Sequence, residues 1–170
     1  MNKFSTKKLA RAGIIAALYI ALTYAFAWAS FGPYQARISE ALTILPLFYV
    51  EAVPALFIGC ILGNLVSPLG AWDLLLGSLA TLIAASATYF IGRTKLNKHV
   101  KIWLGILPPI ISNALIVPVV LIIYGVTEFA YPIQALWIAL GELSVIATLG
   151  VALYYSVDNM REKKIGVMLD

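Results

Sequence analysis

The sequence predicts an all-α integral membrane protein, a six-transmembrane-helix bundle forming one domain over 1–170 with both termini cytoplasmic. Three observations lead there. Of 170 residues, 62% are hydrophobic and only 12% charged, where soluble domains carry about 25% charge. Mean hydropathy is +0.93, with apolar runs near the roughly 20 residues a spanning helix needs. The cations are gathered in three short segments, Lys3 to Arg11, Arg93 to Lys101 and Arg161 to Lys164, with Arg37 apart from them. The net charge of +4 therefore does not point to nucleic acid.

The first predicted span, 13–29, follows the basic segment Lys3, Lys7, Lys8, Arg11. That N-terminus runs directly into the helix and lacks a convincing cleavage site, so it is not expected to be a removable signal peptide. The fourth span, 72–92, precedes the basic stretch RTKLNKHVK. The fifth covers 102–124, and the last covers 132–157 and ends in DNMREKK. The region 38–69 is ambiguous between one broken span and two short ones, and parity resolves it. Positively charged loops stay cytoplasmic, so an even number of spans must separate the first two basic segments. Two short spans, 33–50 and 53–69, satisfy this and place 11 of the 12 Lys and Arg residues inside, all but Arg37. The first is 18 residues, about 27 Å as an α-helix, and Pro33 and Pro54 both suit a first helical turn. Trp28, Trp72 and Trp137 then fall near the outer interface and Trp103 near the inner one, as an aromatic belt requires.

Polar residues in so apolar a chain are the candidate functional groups. PYQARISEAL (33–42) places Gln35, Arg37 and Glu40 at the outer end of the second span. They are either interfacial residues wetted by headgroups or a charged pair, three apart on one helical face, at the mouth of the bundle. Glu142 lies about 15 Å into the last span. A carboxyl at that depth marks a substrate, ion or proton path, or else is a protonated group bonded to a neighbouring helix. Asn113, after the kink-prone Pro108-Pro109, is a polar contact for ligand or for a helix. Asp73 and Glu128 in outer loops and Glu51 at an inner turn are expected to be solvated, and His99 to lie at the surface. The single Cys60 excludes a disulfide framework and a cysteine metal site. No metal site or cofactor is expected.

The first helix adds a different pattern. Ala12 and Ala16 stand four apart, and Gly13, Ala17 and Ala21 form a parallel row. Small residues at this spacing let another helix approach closely, either within the bundle or from a docking partner. Gly59 and Gly63 repeat the spacing, where packing within the bundle is the expected use. The chain has no Walker phosphate loop, HExxH, GxSxG or Ser-His-Asp set, so it is not expected to be an enzyme or to hydrolyse ATP. A binding subunit energised from elsewhere fits better than a self-sufficient carrier.

YQARISEALTILPLF, the PALFIGCILGNLVSPLGAWDLLLGSLATLIAA that follows, and the small-residue first helix together resemble the QueT-type proteins. RISEAL and GSLATL are the most specific parts, and the resemblance runs from about Lys8 to Tyr155. These proteins are S components of energy-coupling factor (ECF) transporters, implicated in uptake of queuosine precursors into bacterial cells. The resemblance implies a substrate-binding subunit in the plasma membrane that topples in the bilayer. Its partners would be a transmembrane coupling protein, docked on Ala12, Gly13, Ala16, Ala17 and Ala21, and two cytoplasmic ATPase subunits, with membrane lipid around it. A 7-deazaguanine keeps the guanine N1–H and exocyclic amine, two adjacent donors that one carboxylate accepts together. Losing N7 removes half of the acceptor pair that Arg reads in guanine. Glu142 and Glu40 supply carboxylates, the second suited to an aminomethyl cation. Asn113, Gln35 and Arg37 supply donors, and Trp72, Tyr131 and Trp137 supply stacking faces. The same set suits other small planar vitamins, and a proton-coupled carrier titrating at Glu142 is the alternative class.

Overall fold

The computed structural model describes residues 5–32 and 35–163. Lys3, Pro33 and Lys164, which entered the topology reading, lie outside the described residues. Among those described every regular element is helical. Four helices are long and apolar enough to cross a membrane: α1 (Thr6–Ala25), α3 (Gly70–Gly92), α4 (Lys98–Ile123) and α5 (Tyr131–Glu162). Two shorter apolar helices complete the set, a 3-10 helix over Ile38–Leu47 between α1 and α2, and α2 itself (Ala52–Asn64).

The distribution of side chains is that of a protein solvated by lipid. Trp28 is 81% exposed, Phe90 67% and Leu9 66%, while Gln134, Glu40 and Asp73 are 0% exposed. Water would enforce the opposite arrangement. A hydrocarbon solvent cannot satisfy polar groups, so they turn inward and bond to one another. The same constraint acts on the backbone. Pro109 inside α4 has no N–H to give the carbonyl of Gly105, and the Thr88 hydroxyl on α3 takes its place at 3.1 Å.

The second segment departs from the expected α-helix. Residues 35–37 are not helical, and the helix that follows is a 3-10 helix of 10 residues, about 20 Å long at its ~2.0 Å rise. Runs beyond three or four residues are uncommon for this geometry, and here packing explains the persistence. Consecutive α-helices pack on each other, and the 3-10 helix touches all five of them. At three residues per turn its side chains fall into three straight rows. Ser39, Leu42 and Leu45 face α1, with the Ser39 hydroxyl accepting from Thr23 at 2.9 Å and both leucines in the core with Ile15, Tyr19 and Leu56. In the second row, Ala41 lies against Gly150 of α5, Ile44 joins the core with Ile102, Ile106 and Ile146, and Leu47 lies against Gly92 and Gly105. Glu40, Thr43 and Pro46 make up the third row, the Thr43 hydroxyl bonded to the Glu40 carbonyl at 2.6 Å. An α-helical pitch of 3.6 residues would rotate these rows away from their neighbours.

Close approach is bought by glycine at three contacts. A β-carbon on Gly59 of α2 would stand 3.0 Å from Tyr19 Cβ, and one on Gly63 3.3 Å from Thr23, so this pair does pack α2 onto α1 within the bundle. At Gly92 the clash would be with backbone, 2.5 Å from the Leu47 carbonyl oxygen. Gly92→Ala is therefore expected to push the 3-10 helix off α3 and destabilise by at least about 1–3 kcal/mol. Gly13→Ala, where nothing lies within 4 Å, should be neutral or stabilising by up to about 1 kcal/mol. Thermal unfolding of the two variants in detergent compares them directly; equal midpoints would refute the backbone-contact argument.

Candidate functional site

The non-helical lead-in to the 3-10 helix places the first polar groups. Gln35 and Arg37 are both buried while Ala36 is less so, the Arg37 N–H closing a tight turn onto the Gln35 carbonyl at 2.8 Å. Gln35 has φ +43°, a left-handed conformation that typically costs a non-glycine residue about 1–3 kcal/mol and persists where the surroundings impose it. Arg37 then spends its guanidinium on fixed partners. Its Nε donates to the Ser30 carbonyl at 3.2 Å and Nη1 to Asn64 Oδ1 at 3.2 Å. Its Nη2 donates to both Asp73 oxygens, at 3.1 and 3.2 Å. Asp73 also accepts from the Ser67 hydroxyl at 2.5 Å, and its carbonyl accepts from Asn64 Nδ2 at 3.1 Å. Asp73 opens a π-helical turn, Asp73–Gly77, inside α3, and a β-carbon on Gly77 would come 2.9 Å from Asn64 Nδ2. The glycine leaves room for the cluster.

Beyond this cluster lie two buried carboxyls. Tyr19 on α1 donates a short hydrogen bond to Glu40 Oε1. Asn113 on α4 donates to Glu142 Oε1 at 2.9 Å and reaches toward Glu40 as well. Each carboxyl has one satisfied oxygen and one that is not. Glu40 Oε2 and Glu142 Oε2 are buried without a partner among the described residues, as are both polar atoms of the Gln35 amide. Buried polar atoms are almost always paired, and leaving one unmade typically costs about 1–3 kcal/mol. Two acceptor oxygens on helices and one donor–acceptor amide in the buried lead-in, all unspent, are chemistry suited to a small polar ligand.

The sequence-predicted residues divide accordingly. Glu142, Asn113 and Glu40 come together, and Gln35 is buried with its amide unspent. Arg37 does not pair with Glu40, although it stands one 3-10 turn before it; as the residue capping that helix it has extended backbone (φ −77°, ψ 105°), and its guanidinium is taken up by Asp73, Asn64 and the Ser30 carbonyl. Asp73, expected in a solvated loop, is fully buried. Glu51, also expected to be solvated, accepts from Arg11 at 2.6 Å with both side chains about 10% exposed. Glu128 and His99 are exposed as expected. Trp72, Tyr131 and Trp137 are 49%, 38% and 39% exposed, and the Tyr131 hydroxyl is bonded to the Leu115 carbonyl. Ala12 and Ala16 are half-buried while Gly13, Ala17 and Ala21 are exposed.

Sequence reasoning missed Tyr19, Asn64 and Asp73. Tyr19 belongs to the row Arg11, Ile15, Tyr19, Thr23, spaced by four and facing inward on α1, a signal present in the sequence beside the small-residue row. Asn64 was as visible as Asn113, a polar amide at the end of an apolar run.

A helical membrane protein with a buried, partly unsatisfied polar site has the make-up that transport of a small polar molecule requires, and the sequence comparisons place the chain among membrane transport proteins. The profile of the family described as QueT transporter matches residues 9–159. The chain belongs to the QueT transporter family. It is 36% identical over 89 residues to a protein of Lactococcus lactis subsp. cremoris (strain MG1363) named queuosine precursor transporter QueT; the match covers 51% of this chain and 52% of that one. The chain thus spans about half the length of that curated relative. No solved structure matches it.

The Arg37–Asp73 pair gives a stability test. Arg37→Ala or Asp73→Ala should each destabilise by about 3–5 kcal/mol, because each strands a buried charge. The double variant should lose less than the sum of the two. Additive losses in chemical unfolding of the detergent-solubilised chain would mean the two charges are not coupled.

Proposed function

We propose that this chain is the substrate-binding membrane subunit of an ECF-type importer for a queuosine precursor, a 7-deazaguanine such as the aminomethyl form. The observation that carries the reading is the set of unspent buried polar atoms on Glu40, Glu142 and Gln35, with Asn113 bonded to Glu142. One carboxylate accepts the adjacent N1–H and exocyclic amine of the base. The other carboxylate receives the aminomethyl cation, and the Gln35 amide answers the base carbonyl. Arg37, its donors already engaged, acts as a positioning residue that fixes the lead-in carrying Gln35 and Glu40. The family membership and the name of the Lactococcus relative support the substrate class.

In this reading the polypeptide crosses a bacterial plasma membrane six times with both termini cytoplasmic. The 3-10 helix and α2 serve as the two short spans. ATP hydrolysis comes from two partner ATPases through a transmembrane coupling protein. The Gly13, Ala17, Ala21 row is exposed on α1, and Ala12 and Ala16 line a groove of about 780 Å³ with Pro54, Ala55 and Ile58 of α2. Both suit the close approach of a partner helix.

Two experiments test it. Glu142→Gln keeps shape but introduces a donor facing the ligand's donors, and should weaken binding of 7-aminomethyl-7-deazaguanine by about 10- to 150-fold, or ~1.5–3 kcal/mol. Calorimetric titration of the solubilised chain measures it, and unchanged affinity would mean the carboxyl only joins helices. Ala17→Trp should abolish ATP-driven uptake in proteoliposomes and co-purification with the coupling protein while leaving binding intact; normal co-purification would remove α1 as the docking face.

A further inference from the structure

At the end of the molecule away from the polar site, two concave surfaces meet. The apolar groove between α1 and α2 is joined to a smaller pocket of about 160 Å³, and Lys8, Val50 and Glu51 line both. The pocket draws Lys8 and Arg11 from α1, Arg93 from the end of α3 and Arg161 from the end of α5, against a floor of Phe48 and Tyr49. Four cations thus converge from three helices on one carboxylate, Glu51, which Arg11 engages at 2.6 Å. The remaining three have no ion pair among the described residues. Arg161 is held over the pocket, its guanidinium 5.4 Å from the Phe48 ring centroid and 5.7 Å from that of Tyr49, a cation–π arrangement. Arg11 also lies over the same tyrosine, 4.0 Å from its ring centroid.

Like charges gathered at a bilayer surface repel one another unless an anion joins them. A free anion would account for the cations but not for an apolar groove of several hundred cubic ångströms opening from the same corner. We propose that this corner binds an anionic glycerophospholipid, its phosphate among Lys8, Arg93 and Arg161 and one acyl chain along the groove lined by Ala12, Ala16 and Ile58. Juxtamembrane cations attract anionic lipid in this way, and here the helix ends and the aromatic floor shape them into a site. The lipid occupies the groove in the subunit that stands alone in the bilayer. The inference goes beyond the transport reading and does not rest on it.

The test uses the full chain in nanodiscs of equal phosphatidylglycerol and phosphatidylcholine, extracted gently and examined by native mass spectrometry. Phosphatidylglycerol should be retained over phosphatidylcholine. Arg93→Gln combined with Arg161→Gln should lower that preference by roughly 25- to 30-fold, about five-fold per cation, with the thermal midpoint checked to show that the variant is folded. Arg161→Lys, which keeps the charge, should largely preserve it. Glycerol phosphate, which has no acyl chain, should neither displace phosphatidylglycerol nor stabilise the chain at the same concentration. Equal retention of the two lipids, or retention of neither, would overturn the proposal. Displacement by glycerol phosphate or inorganic phosphate would overturn it in favour of a free-phosphate site.

Discussion

The bidentate ion pair between Arg37 and Asp73 is the interaction on which the rest of the arrangement depends. An isolated charge in a low-dielectric interior is prohibitively costly, and even a pair must have its remaining donors and acceptors met. Here they are met by Ser30, Asn64 and Ser67. The pair therefore ties three places together: the turn after α1, the end of α2 and the π-helical start of α3. Glu40 follows Arg37 by one 3-10 turn, its N–H bonded to the Arg37 carbonyl at 3.0 Å. Fixing the guanidinium consequently fixes where that carboxyl stands.

From this anchor the central 3-10 helix carries the geometry inward. Its three straight rows serve two apolar surroundings and one polar one, which an α-helix of the same sequence would not do. Leu42 and Leu45 join α1 and α2, Ile44 and Leu47 join α3, α4 and α5, and Glu40 is left on the row that meets Tyr19. The glycines at 92, 105 and 150 are where neighbouring helices admit this segment. The π-helical turns Asp73–Gly77 and Ile146–Gly150 flank it on α3 and α5. Such turns interrupt regular helices most often near functional sites, and here the first carries Asp73 and the second follows Glu142 by four residues.

The molecule keeps two kinds of chemistry apart along α1. Tyr19 points to the buried carboxyls, while Arg11, about 12 Å away along the helix axis, joins the cationic corner with Glu51. Both project from one inward row spaced by four. The first helix is consequently shared by the polar interior, the cationic corner and the small-residue surface, and a displacement of that helix would be felt by all of them.

Composition and apolar run lengths by themselves determined that this is a helical membrane protein, because hydrocarbon solvent imposes long apolar helices whatever their packing. They also singled out Glu142, Asn113, Glu40 and Gln35, since polar groups in apolar runs are legible without knowing their neighbours. The packing role of Gly59 and Gly63 was readable for the same reason: spacing on one helix is local information. What only the tertiary structure decided was partnership and pitch. Arg37 pairs with Asp73, 36 residues away, and not with Glu40 three residues on; Asp73 is buried and Glu51, half-buried, is paired with Arg11, where both were expected to be solvated. The 3-10 helix was invisible because ISEALTILPL is equally apolar at either pitch, and five surrounding helices select the one whose rows fit. Ion pairing and helical pitch at a crowded centre are set by contacts between segments distant in sequence, and a pattern read along one segment does not contain them.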